Sequence, residues 1–366
     1  MNSYKIHKKL KGYRPLSCDE NALYLYKNNS VYEYDFLTDK INFVCVLPVC
    51  RFNLMQKLLL DFRLITRVLR LTPTTSIIFN NFLYISFKSI IFKVDIKEKR
   101  GYVDFEVPNN RKILNFSIVR ICNKSNLVFG EYFSNPEKHS VNLWLKDNFS
   151  DGWKAIYSFS DGAINHVHNV VQIEDRILIL TGDFGDASAI WEYDFNSSVC
   201  SPLLSGSQIF RATWISNIDN AYYYATDSQI DENFLISLDQ LNTSFTPRKI
   251  SSLPGSSIYC GVSSNKDELL FSTSVECGEP TENSFTDLFS CTPGSGIKSN
   301  NSYIFKYDLT NKKLMEVFKL KKDFLPFRLF QFGSFIFPSG VMPKNRIIAY
   351  CNALEKFDNC TLIFKA

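Results

Sequence analysis

The sequence predicts an all-β protein, a single β-propeller whose blades surround a central channel, and three observations support this prediction. Phe and Tyr, which favour strands, are frequent, with 32 and 18 copies among 366 residues. A pattern of two apolar strands, with an aromatic residue and Asp at the end of the second, recurs along the chain. The spacing of its copies is close to the length of a four-stranded propeller blade.

The recurring Asp is predicted to be structural. Within each copy, apolar and polar residues alternate with period two, as half-buried strands require. The Asp stands where the strand turns into a hairpin, so its carboxylate can accept hydrogen bonds from backbone N–H groups. Successive copies lie 45 to 69 residues apart, and the aligned residues are Asp35, Asp95, Asp147, Asp194, Asp239 and Asp308.

Each unit divides into four strands, most clearly the fourth unit, with predicted strands at 165–174, 176–183, 188–195 and 200–206. The last unit ends after three strands, and the segment around residues 4–10 is predicted to complete it. Pairing of the two chain ends would close the ring and remove its open sheet edges. We predict seven blades in one domain, 1–366; six is the alternative, because the first unit shows no clear inner strand.

Two segments interrupt the repeat. Residues 52–71 place Leu and Ile at helical spacing, which predicts a short amphipathic helix over 54–71 on one face of the propeller. Residues 276–300 are rich in Gly, Pro and Ser and predict a long loop inserted into the sixth blade.

The charge and apolar patterns argue against two classes of protein. The net charge is +4, and the basic clusters at Lys8–Lys11 and Lys319–Lys322 are interpreted as solvated strand ends, with an anion-binding patch as the alternative. Neither resembles the dense basic stripe of a nucleic-acid-binding protein, so we predict no nucleic-acid partner. No apolar run approaches the length of a membrane helix, and we predict no membrane span.

The cysteines and the N-terminus predict a cytoplasmic protein. The first residues are polar and basic, without the apolar core of a secretory signal. The ten Cys include no CxxC pair, and most lie in apolar strand patterns, as buried free thiols do. Cys277 and Cys291 flank one loop and form the one pair that an oxidising compartment would join. The oligomeric state is left open.

Polar residues on the inner strands mark the candidate site, because burying them is costly unless they are paired or face water. His166 and His168 stand two apart on one predicted strand, so both side chains point to the same face. We predict an acid–base or ligand-binding pair, with a structural pair bonded to carbonyl oxygens as the alternative. Asp183 ends the adjacent strand and would be the third ligand if a metal binds. A His-x-His pair alone is weak evidence for a metal site, so we predict no metal and no cofactor.

Four acidic residues end the second strand of four successive blades and are predicted to ring one mouth of the channel, a chance ring of solvated acids being the alternative. Arg211 lies near them, and its planar fork suits a carboxylate or phosphate. The residues predicted to transfer protons are His166, His168, Asp183 and Glu131. The residues predicted to bind substrate are Arg211, Asp227, Glu276, Tyr132, Arg328, Gln331 and Arg70.

Several segments resemble sialidase-like (BNR-repeat) propellers. The third unit carries a compressed Asp-box, formed by Ser150, Asp151, Gly152 and Trp153. The ordered segments 130–144, 158–170, 181–183, 210–214, 225–233 and 330–340 resemble an uncharacterised group of these proteins from bacterial surface-polysaccharide gene clusters. The resemblance runs from about residue 60 to the end and implies a propeller with a connection to glycans. The Tyr–Glu pair of true sialidases has no counterpart here, and the His-x-His pair is not part of their pattern.

These observations predict a sugar-active protein of capsule or O-antigen metabolism. Its ligand would be an acidic or activated sugar, such as a nucleotide sugar, bound in the central channel; transfer, hydrolysis and elimination are left open. The alternatives are a non-catalytic glycan-binding propeller and a protein-interaction platform built on the 54–71 helix, since fold does not decide function. A deep, closed site containing His166 would favour catalysis, and a shallow aromatic rim would favour binding.

Overall fold

A computed structural model of the chain describes residues 4–48, 59–147, 152–218, 221–241, 244–265, 267–279 and 284–365. These residues form thirty strands and three short α-helices, and the strands pair almost entirely antiparallel. The all-β prediction is therefore confirmed. None of the helices in the described ranges is long and apolar enough to cross a membrane.

The strands group into successive four-stranded antiparallel units, numbered here along the chain. Unit 1 contains β2 (Arg14–Cys18), β3 (Ala22–Lys27), β4 (Ser30–Asp35) and β5 (Ile41–Val46). Unit 2 contains β6 (Thr75–Phe79), β7 (Phe82–Phe87), β8 (Ile90–Asp95) and β9 (Arg100–Glu106). Unit 3 contains β11 (Ser117–Ile121), β12 (Lys124–Tyr132), β13 (Val141–Lys146) and β14 (Lys154–Phe159), with the short β10 (Lys112–Ile113) paired to the end of β12.

The later units follow the same order. Unit 4 contains β15 (His166–Ile173), β16 (Arg176–Gly182), β17 (Ala189–Asp194) and β18 (Val199–Ser205). Unit 5 contains β19 (Ser216–Ile218), β20 (Ala221–Ala225), β21 (Asn233–Leu241) and β22 (Ser244–Leu253). Unit 6 contains β23 (Ser256–Ser263), β24 (Glu268–Val275), β25 (Asn301–Asp308) and β26 (Lys313–Lys321).

Unit 7 joins the two ends of the described chain. It contains β27 (Gly333–Ile336), β29 (Arg346–Asn352), β30 (Cys360–Lys365) and, as its outer strand, β1 (Lys5–Lys11). In the antiparallel pair of β1 and β30, Lys5 lies opposite Lys365. The remaining strand, β28 (Ser339–Met342), pairs in parallel with both β2 and β23.

The core lies between the faces of neighbouring units. One apolar cluster joins unit 4 to unit 5, with Leu180 and Tyr224 completely buried in it. Another joins unit 7 to unit 1 and includes Ile348 and Leu25. Each fully buried Leu or Ile side chain contributes about 1.5–3 kcal/mol, so these contacts hold each blade against the next.

Residues near the first strands of the units line a cavity of about 160 Å³. Every unit contributes to its lining, through residues that include Leu16, Ser76, Asn115, Asn169, Thr213, Tyr259 and Phe337. Four-stranded antiparallel sheets arranged around a common axis are characteristic of a β-propeller.

The recurring Asp caps a hairpin turn in four of its six copies. The carboxylates that accept hydrogen bonds from backbone N–H groups two or three residues later are those of Asp35, Asp95, Asp194 and Asp308. Asp239 instead accepts from Ser237 Oγ and Arg248 Nε, and Asp147 borders undescribed residues. The predicted turn role is confirmed for the four.

The two segments that interrupt the repeat contain the helices. Within the described part of the predicted 54–71 helix, helix α1 spans Arg63–Val68, and residues 49–58 lie outside the described ranges. It ends where Arg70 adopts a positive φ of 54°, a left-handed conformation that commonly terminates helices. The segment between β24 and β25 carries α2 (Ser284–Leu288), and α3 (Phe327–Phe330) precedes β27.

The predicted thiols are largely buried, and the predicted Asp-box is only partly described. Cys277 is a buried free thiol and Cys291 an exposed one, so the two are not joined. Ser150 and Asp151 of the Asp-box lie outside the described residues. Trp153, the last residue of that motif, donates from Nε1 to Asp104 Oδ2 over 2.7 Å.

Candidate functional site

One end of the propeller collects the predicted site residues. In an antiparallel sheet, the second strand of a unit ends where the first strand begins, so the residues at these positions meet at one face. Seven of them form what we call the polar cluster: Tyr132, His166, His168, Asp183, Arg211, Asp227 and Glu276. Contacts between these side chains connect units 3, 4, 5 and 6.

A β-bulge aims His168 into the polar cluster. Val167 pairs with Thr181 and Asn169 with Leu180, which leaves His168 as the extra residue of β15. Bulges redirect side chains in this way next to functional sites. The Nε2 atoms of His166 and His168 lie 3.1 Å apart, so the prediction that both rings share one face is confirmed.

Two backbone carbonyls fix the tautomers of these rings. His166 Nδ1 lies 3.1 Å from the carbonyl oxygen of Phe133, and His168 Nδ1 lies 3.0 Å from that of Ala212. A carbonyl oxygen only accepts, so each Nδ1 carries a proton and a neutral ring presents a lone pair at Nε2. Burial, and then the neighbouring His166 and Arg211, lower the pKa of His168 to about 3, so this ring is neutral at physiological pH.

Asp183 lies against both imidazoles. Its Oδ1 is 3.3 Å from His166 Nε2, 4.0 Å from His168 Nε2 and 3.3 Å from Arg211 Nη2. Burial opposes ionisation, but His166 and Arg211 outweigh it and hold the pKa of Asp183 well below its usual range. The side chain is 29% exposed while both imidazoles are buried, so the cluster opens to solvent at Asp183.

Hydrogen bonds to its carbonyl oxygen hold the backbone of Asp183. Its carbonyl oxygen accepts from Gln208 Nε2 at 2.8 Å and from Ser188 Oγ at 2.9 Å. Arg211 Nη1 adds a third, longer contact of 3.3 Å. The backbone from which the carboxylate extends is therefore held in place before any ligand arrives.

Arg211 and Asp227 each keep a buried polar atom without a hydrogen-bond partner. Arg211 Nε lies 3.7 Å from Asp227 Oδ2, too far for a hydrogen bond, and Asp227 Oδ1 also has no partner. Both residues are more than nine-tenths buried. An unsatisfied buried donor beside an unsatisfied buried acceptor marks a place for a polar ligand.

Asp227 and Glu276 form an acidic pair. Burial and then the nearby Glu276 carboxyl raise the pKa of Asp227 well above its usual value, and burial also raises the pKa of Glu276. Glu276 accepts a hydrogen bond from Ser256 Oγ. The pair therefore retains a proton where ordinary carboxyls have lost theirs, and it can donate that proton.

Replacing Asp227 by Asn should reduce the decrease in the free energy of unfolding that accompanies rising pH. A carboxyl whose pKa is raised in the folded state holds its proton longer than in the unfolded state, where its pKa is about 3.9. The free energy of unfolding therefore falls as pH rises from there through the folded-state pKa. Urea unfolding of both proteins at pH 5 and pH 8 measures this. Asp231→Asn, an exposed carboxyl on the same connection, is the control, and a difference between Asp227→Asn and wild type that does not change with pH would contradict the expectation.

Tyr132 completes the polar cluster. Its ring centroid lies 4.3 Å from that of His166 and 6.3 Å from that of His168. Burial, and then Asp183, raise the pKa of the phenol, so Tyr132 keeps its proton and its hydroxyl can donate a hydrogen bond to a ligand.

Glu131 is placed apart from the polar cluster, contrary to its predicted catalytic role. It is completely buried and accepts from Arg111 Nη1, from Asn142 N and Nδ2, and from Trp144 Nε1 at 2.5, 2.9, 3.1 and 3.0 Å. These partners all belong to unit 3 or the segment leading into it. Its lone pairs are occupied, so we remove Glu131 from the candidate site.

Arg70, Arg328 and Gln331 form a separate group beside α1 and α3. Arg70 Nη2 donates to the carbonyl oxygen of Arg328 at 2.6 Å, and Arg328 Nη2 donates to that of Gly278 at 2.9 Å. Gln331 has a φ of 72°, and its buried Oε1 has no hydrogen-bond partner. Within the described ranges, we find no ion pair or hydrogen bond from these three to the polar cluster, so their predicted substrate contacts stay a prediction.

Sequence reasoning missed the residues that support the site. Gln208 and Ser188 hold Asp183, Ser256 binds Glu276, and the Ala212 carbonyl orients His168. Each is a common residue type in a connection or at a strand end. The one available signal was the run Gln208 to Arg211, which places two polar side chains three residues apart in a short helical turn.

Gly182 is expected to be essential for the position of His168. A Cβ at Gly182 would lie 2.4 Å from His168 Cε1, so Gly182→Ala must displace the imidazole. We expect a loss of about 1–3 kcal/mol in unfolding free energy and shifted His168 ring signals in NMR spectra. Gly152→Ala, where a Cβ meets nothing within 4 Å, is the control. Unchanged imidazole signals in Gly182→Ala would show that the packing is not as tight as described.

Comparisons with known proteins show the fold and no family. No protein-family model and no curated protein sequence matches the chain. Among solved structures, an oligogalacturonate lyase in complex with manganese superposes with a TM-score of 0.60 at 10% identity, covering 98% of this chain and 90% of that one. The extracellular domain of a hybrid two-component system from B. thetaiotaomicron gives 0.56 at 9% identity, over 99% of this chain and 40% of that one. A chain of a mitotic checkpoint complex gives 0.56 at 10% identity, over 100% and 94%.

Proposed function

We propose that the protein is a carbohydrate-active enzyme that binds an acidic sugar at the polar cluster and cleaves a bond to it by acid–base chemistry. The observation that carries this proposal is the pair of unsatisfied, buried atoms, Arg211 Nε and Asp227 Oδ1, beside an acidic pair that retains a proton. A sugar carboxylate would accept from the guanidinium, and a hydroxyl would donate to the carboxyl.

The depth of the site favours catalysis over simple binding. Both imidazoles and Arg211 are less than 7% exposed, so a ligand that reaches them leaves most of its hydration shell behind. Half-buried aromatic rings flank the opening, namely Tyr132, Phe133 and Phe184, and Phe184 also stacks against the Arg211 guanidinium at 5.6 Å. These rings offer apolar faces to a sugar.

The carboxyl arrangement supports elimination rather than hydrolysis. Glycosidases keep their two carboxyls about 5 to 9.5 Å apart as separate acid and base, whereas Glu276 lies close enough to Asp227 to raise its pKa, and the two retain a proton as a pair. Elimination next to a carboxylate needs a cation on that carboxylate, a proton donor at the leaving oxygen and a proton acceptor at the sugar carbon. Arg211 supplies the first, the acidic pair or Tyr132 the second, and the third lies at the imidazole pair. The fold shared with an oligogalacturonate lyase is consistent with this choice.

The finer parts of the proposal rest on the sequence. We take the seven four-stranded units as blades of one closed ring, supported by the pairing of β1 with β30 and by the cavity that every unit lines. The resemblance to sialidase-like proteins supports a place in bacterial surface-polysaccharide metabolism and makes a nucleotide sugar the alternative ligand. The free thiols of the described cysteines support a cytoplasmic location.

Isothermal titration of the full chain with galacturonate oligosaccharides and with neutral galactose oligosaccharides tests the proposal. We expect binding of the acidic ligand and at least tenfold weaker binding of the neutral one. Arg211→Lys should weaken acidic binding at least tenfold, because a lysine lacks the planar fork. Arg248→Lys, an exposed arginine, is the control.

The products of the same incubation separate the rival functions. Ultraviolet absorbance of an unsaturated sugar end supports elimination. Binding without any product indicates the glycan-binding alternative, and equal affinity for acidic and neutral ligands contradicts the role of Arg211.

A further inference from the structure

We infer that His166, His168 and Asp183 form a binding site for one divalent first-row transition-metal ion. The sequence alone predicts no metal here, and the geometry of the three side chains changes that interpretation. One possible ligand atom from each of the three residues lies within 4.8 Å of the other two.

The donor spacing matches coordination to a common ion. Two nitrogens about 2.1 Å from a metal and at right angles to each other are about 3.0 Å apart, and the two Nε2 atoms are separated by 3.1 Å. Asp183 Oδ1 is 3.3 Å from the first nitrogen and 4.0 Å from the second. A small movement of this half-exposed carboxylate equalises the two distances.

The hydrogen bonds at Nδ1 leave the Nε2 lone pair of each neutral ring directed at this point. Each Nδ1–H is directed at a backbone carbonyl, of Phe133 or of Ala212. Metal-binding histidines characteristically donate their second N–H to such an acceptor, which fixes the ring and raises its basicity. Two Nε2 lone pairs that face each other repel unless a cation or a proton lies between them.

The third ligand is held in the same manner. Arg211 Nη2 lies 3.3 Å from Asp183 Oδ1, and Gln208 and Ser188 hold the backbone carbonyl of Asp183. These contacts orient a ligating carboxylate without occupying its remaining lone pairs. Hydrogen-bonded support of this kind accompanies natural metal sites.

The surrounding charges accommodate a dication. Three carboxyl groups, those of Asp183, Asp227 and Glu276, face a single guanidinium, that of Arg211. Even with the proton that the Asp227–Glu276 pair retains, the carboxylates outnumber the guanidinium, and this excess of negative charge in a buried site attracts a cation. Two imidazoles and one carboxylate favour Mn²⁺, Fe²⁺, Co²⁺ or Zn²⁺ over Mg²⁺ and Ca²⁺, which prefer all-oxygen ligands.

The inference shares residues with the proposed function and refines one role in it. A lone pair that coordinates a metal ion does not also take a proton from the sugar, so His166 and His168 become ligands instead of the predicted proton-transfer groups. The ionised carboxylate of the Asp227–Glu276 pair then accepts the sugar proton, and Tyr132 donates a proton to the leaving oxygen. Metal binding is measured without any sugar. Its failure is therefore distinguishable from failure of the carbohydrate proposal.

Titration of the chelator-stripped full chain with Mn²⁺, followed by the EPR signal of the free ion, tests the site. We expect the signal to drop by one equivalent per chain. His166→Ala and His168→Ala should each abolish this binding, and Asp183→Asn, which keeps the shape of the side chain, should weaken it at least tenfold. His139→Ala removes an exposed histidine at the same end of the propeller and should bind Mn²⁺ like the wild type.

The visible spectrum of bound Co²⁺ provides a second readout, because imidazole and carboxylate ligands give the ion ligand-field bands that the hydrated ion lacks. Circular dichroism of each variant separates loss of the site from loss of the fold, and Asp183→Asn serves if a histidine variant does not fold. A wild-type chain that leaves both the Mn²⁺ and the Co²⁺ signals unchanged overturns the inference. Equal binding by Asp183→Asn and by both histidine variants overturns it as well, since the ion then lies elsewhere.

Discussion

Glu131→Ala is expected to lower the free energy of unfolding by about 3–5 kcal/mol. The carboxylate is completely buried and is the ion-pair partner of Arg111 Nη1. Its removal leaves the Arg111 guanidinium, which is only 12% exposed, without its countercharge, and it deprives the Trp144 and Asn142 donors of their acceptor. Breaking a buried pair from one side is much more costly than the pair is stabilising, because the remaining charge stays desolvated.

Urea unfolding monitored by tryptophan fluorescence measures this loss, since Trp144 contacts Glu131 directly. Glu137→Ala, an exposed glutamate on the connection that follows β12, is the control and should change stability by less than about 0.5 kcal/mol. If Glu131→Ala instead keeps full stability and loses activity, the side chain belongs to the catalytic site, as the sequence alone predicts.

Arg67→Ala should be similarly destabilising, at about 3–5 kcal/mol, and should detach α1 from the propeller. Arg67 is 2% exposed and lies 2.6 Å from Asp323 Oδ2, and its Nε donates to the carbonyl oxygen of Phe330 at 2.7 Å. Through these contacts, a helix between units 1 and 2 is tied to the segment that leads into unit 7. Alanine would leave the buried Phe330 carbonyl and Asp323 Oδ2 without the Arg67 donor, while Lys322 Nζ and Leu325 N still contact Asp323 Oδ1.

The matched control is Arg248→Ala, which removes an exposed arginine paired with Asp239 at 3.1 Å. Its side chain is 70% exposed, so the expected loss is at most about 1 kcal/mol. Chemical denaturation gives both values, and proteolysis near residue 60 reports detachment of the helix. Equal losses in the two variants would contradict the view that burial determines the cost.

The sequence by itself determined the strands and their grouping. Alternation with period two and the recurring Asp turn are local properties, since they depend on neighbouring residues and the pleat of one strand. They sufficed to predict the four strands of unit 4, whose observed bounds differ from the predicted ones by no more than one residue at each end. They also placed His166 and His168 on one face and brought five further predicted residues, Tyr132, Asp183, Arg211, Asp227 and Glu276, to the same end of the propeller.

Only the tertiary structure decided what those residues do. Glu131 and Asp183 end equivalent strands, yet Arg111 and Trp144 fill the lone pairs of Glu131, whereas Asp183 meets two imidazoles and a guanidinium. The His168 tautomer depends on the Ala212 carbonyl, which lies 44 residues away along the chain and in another blade. Such contacts arise from the packing of one sheet against the next, and the period of a single strand contains no information about its neighbour's carbonyls. The chemistry of the site therefore depends on contacts between blades, whereas the sequence directly determines only the strands and turns within a single blade.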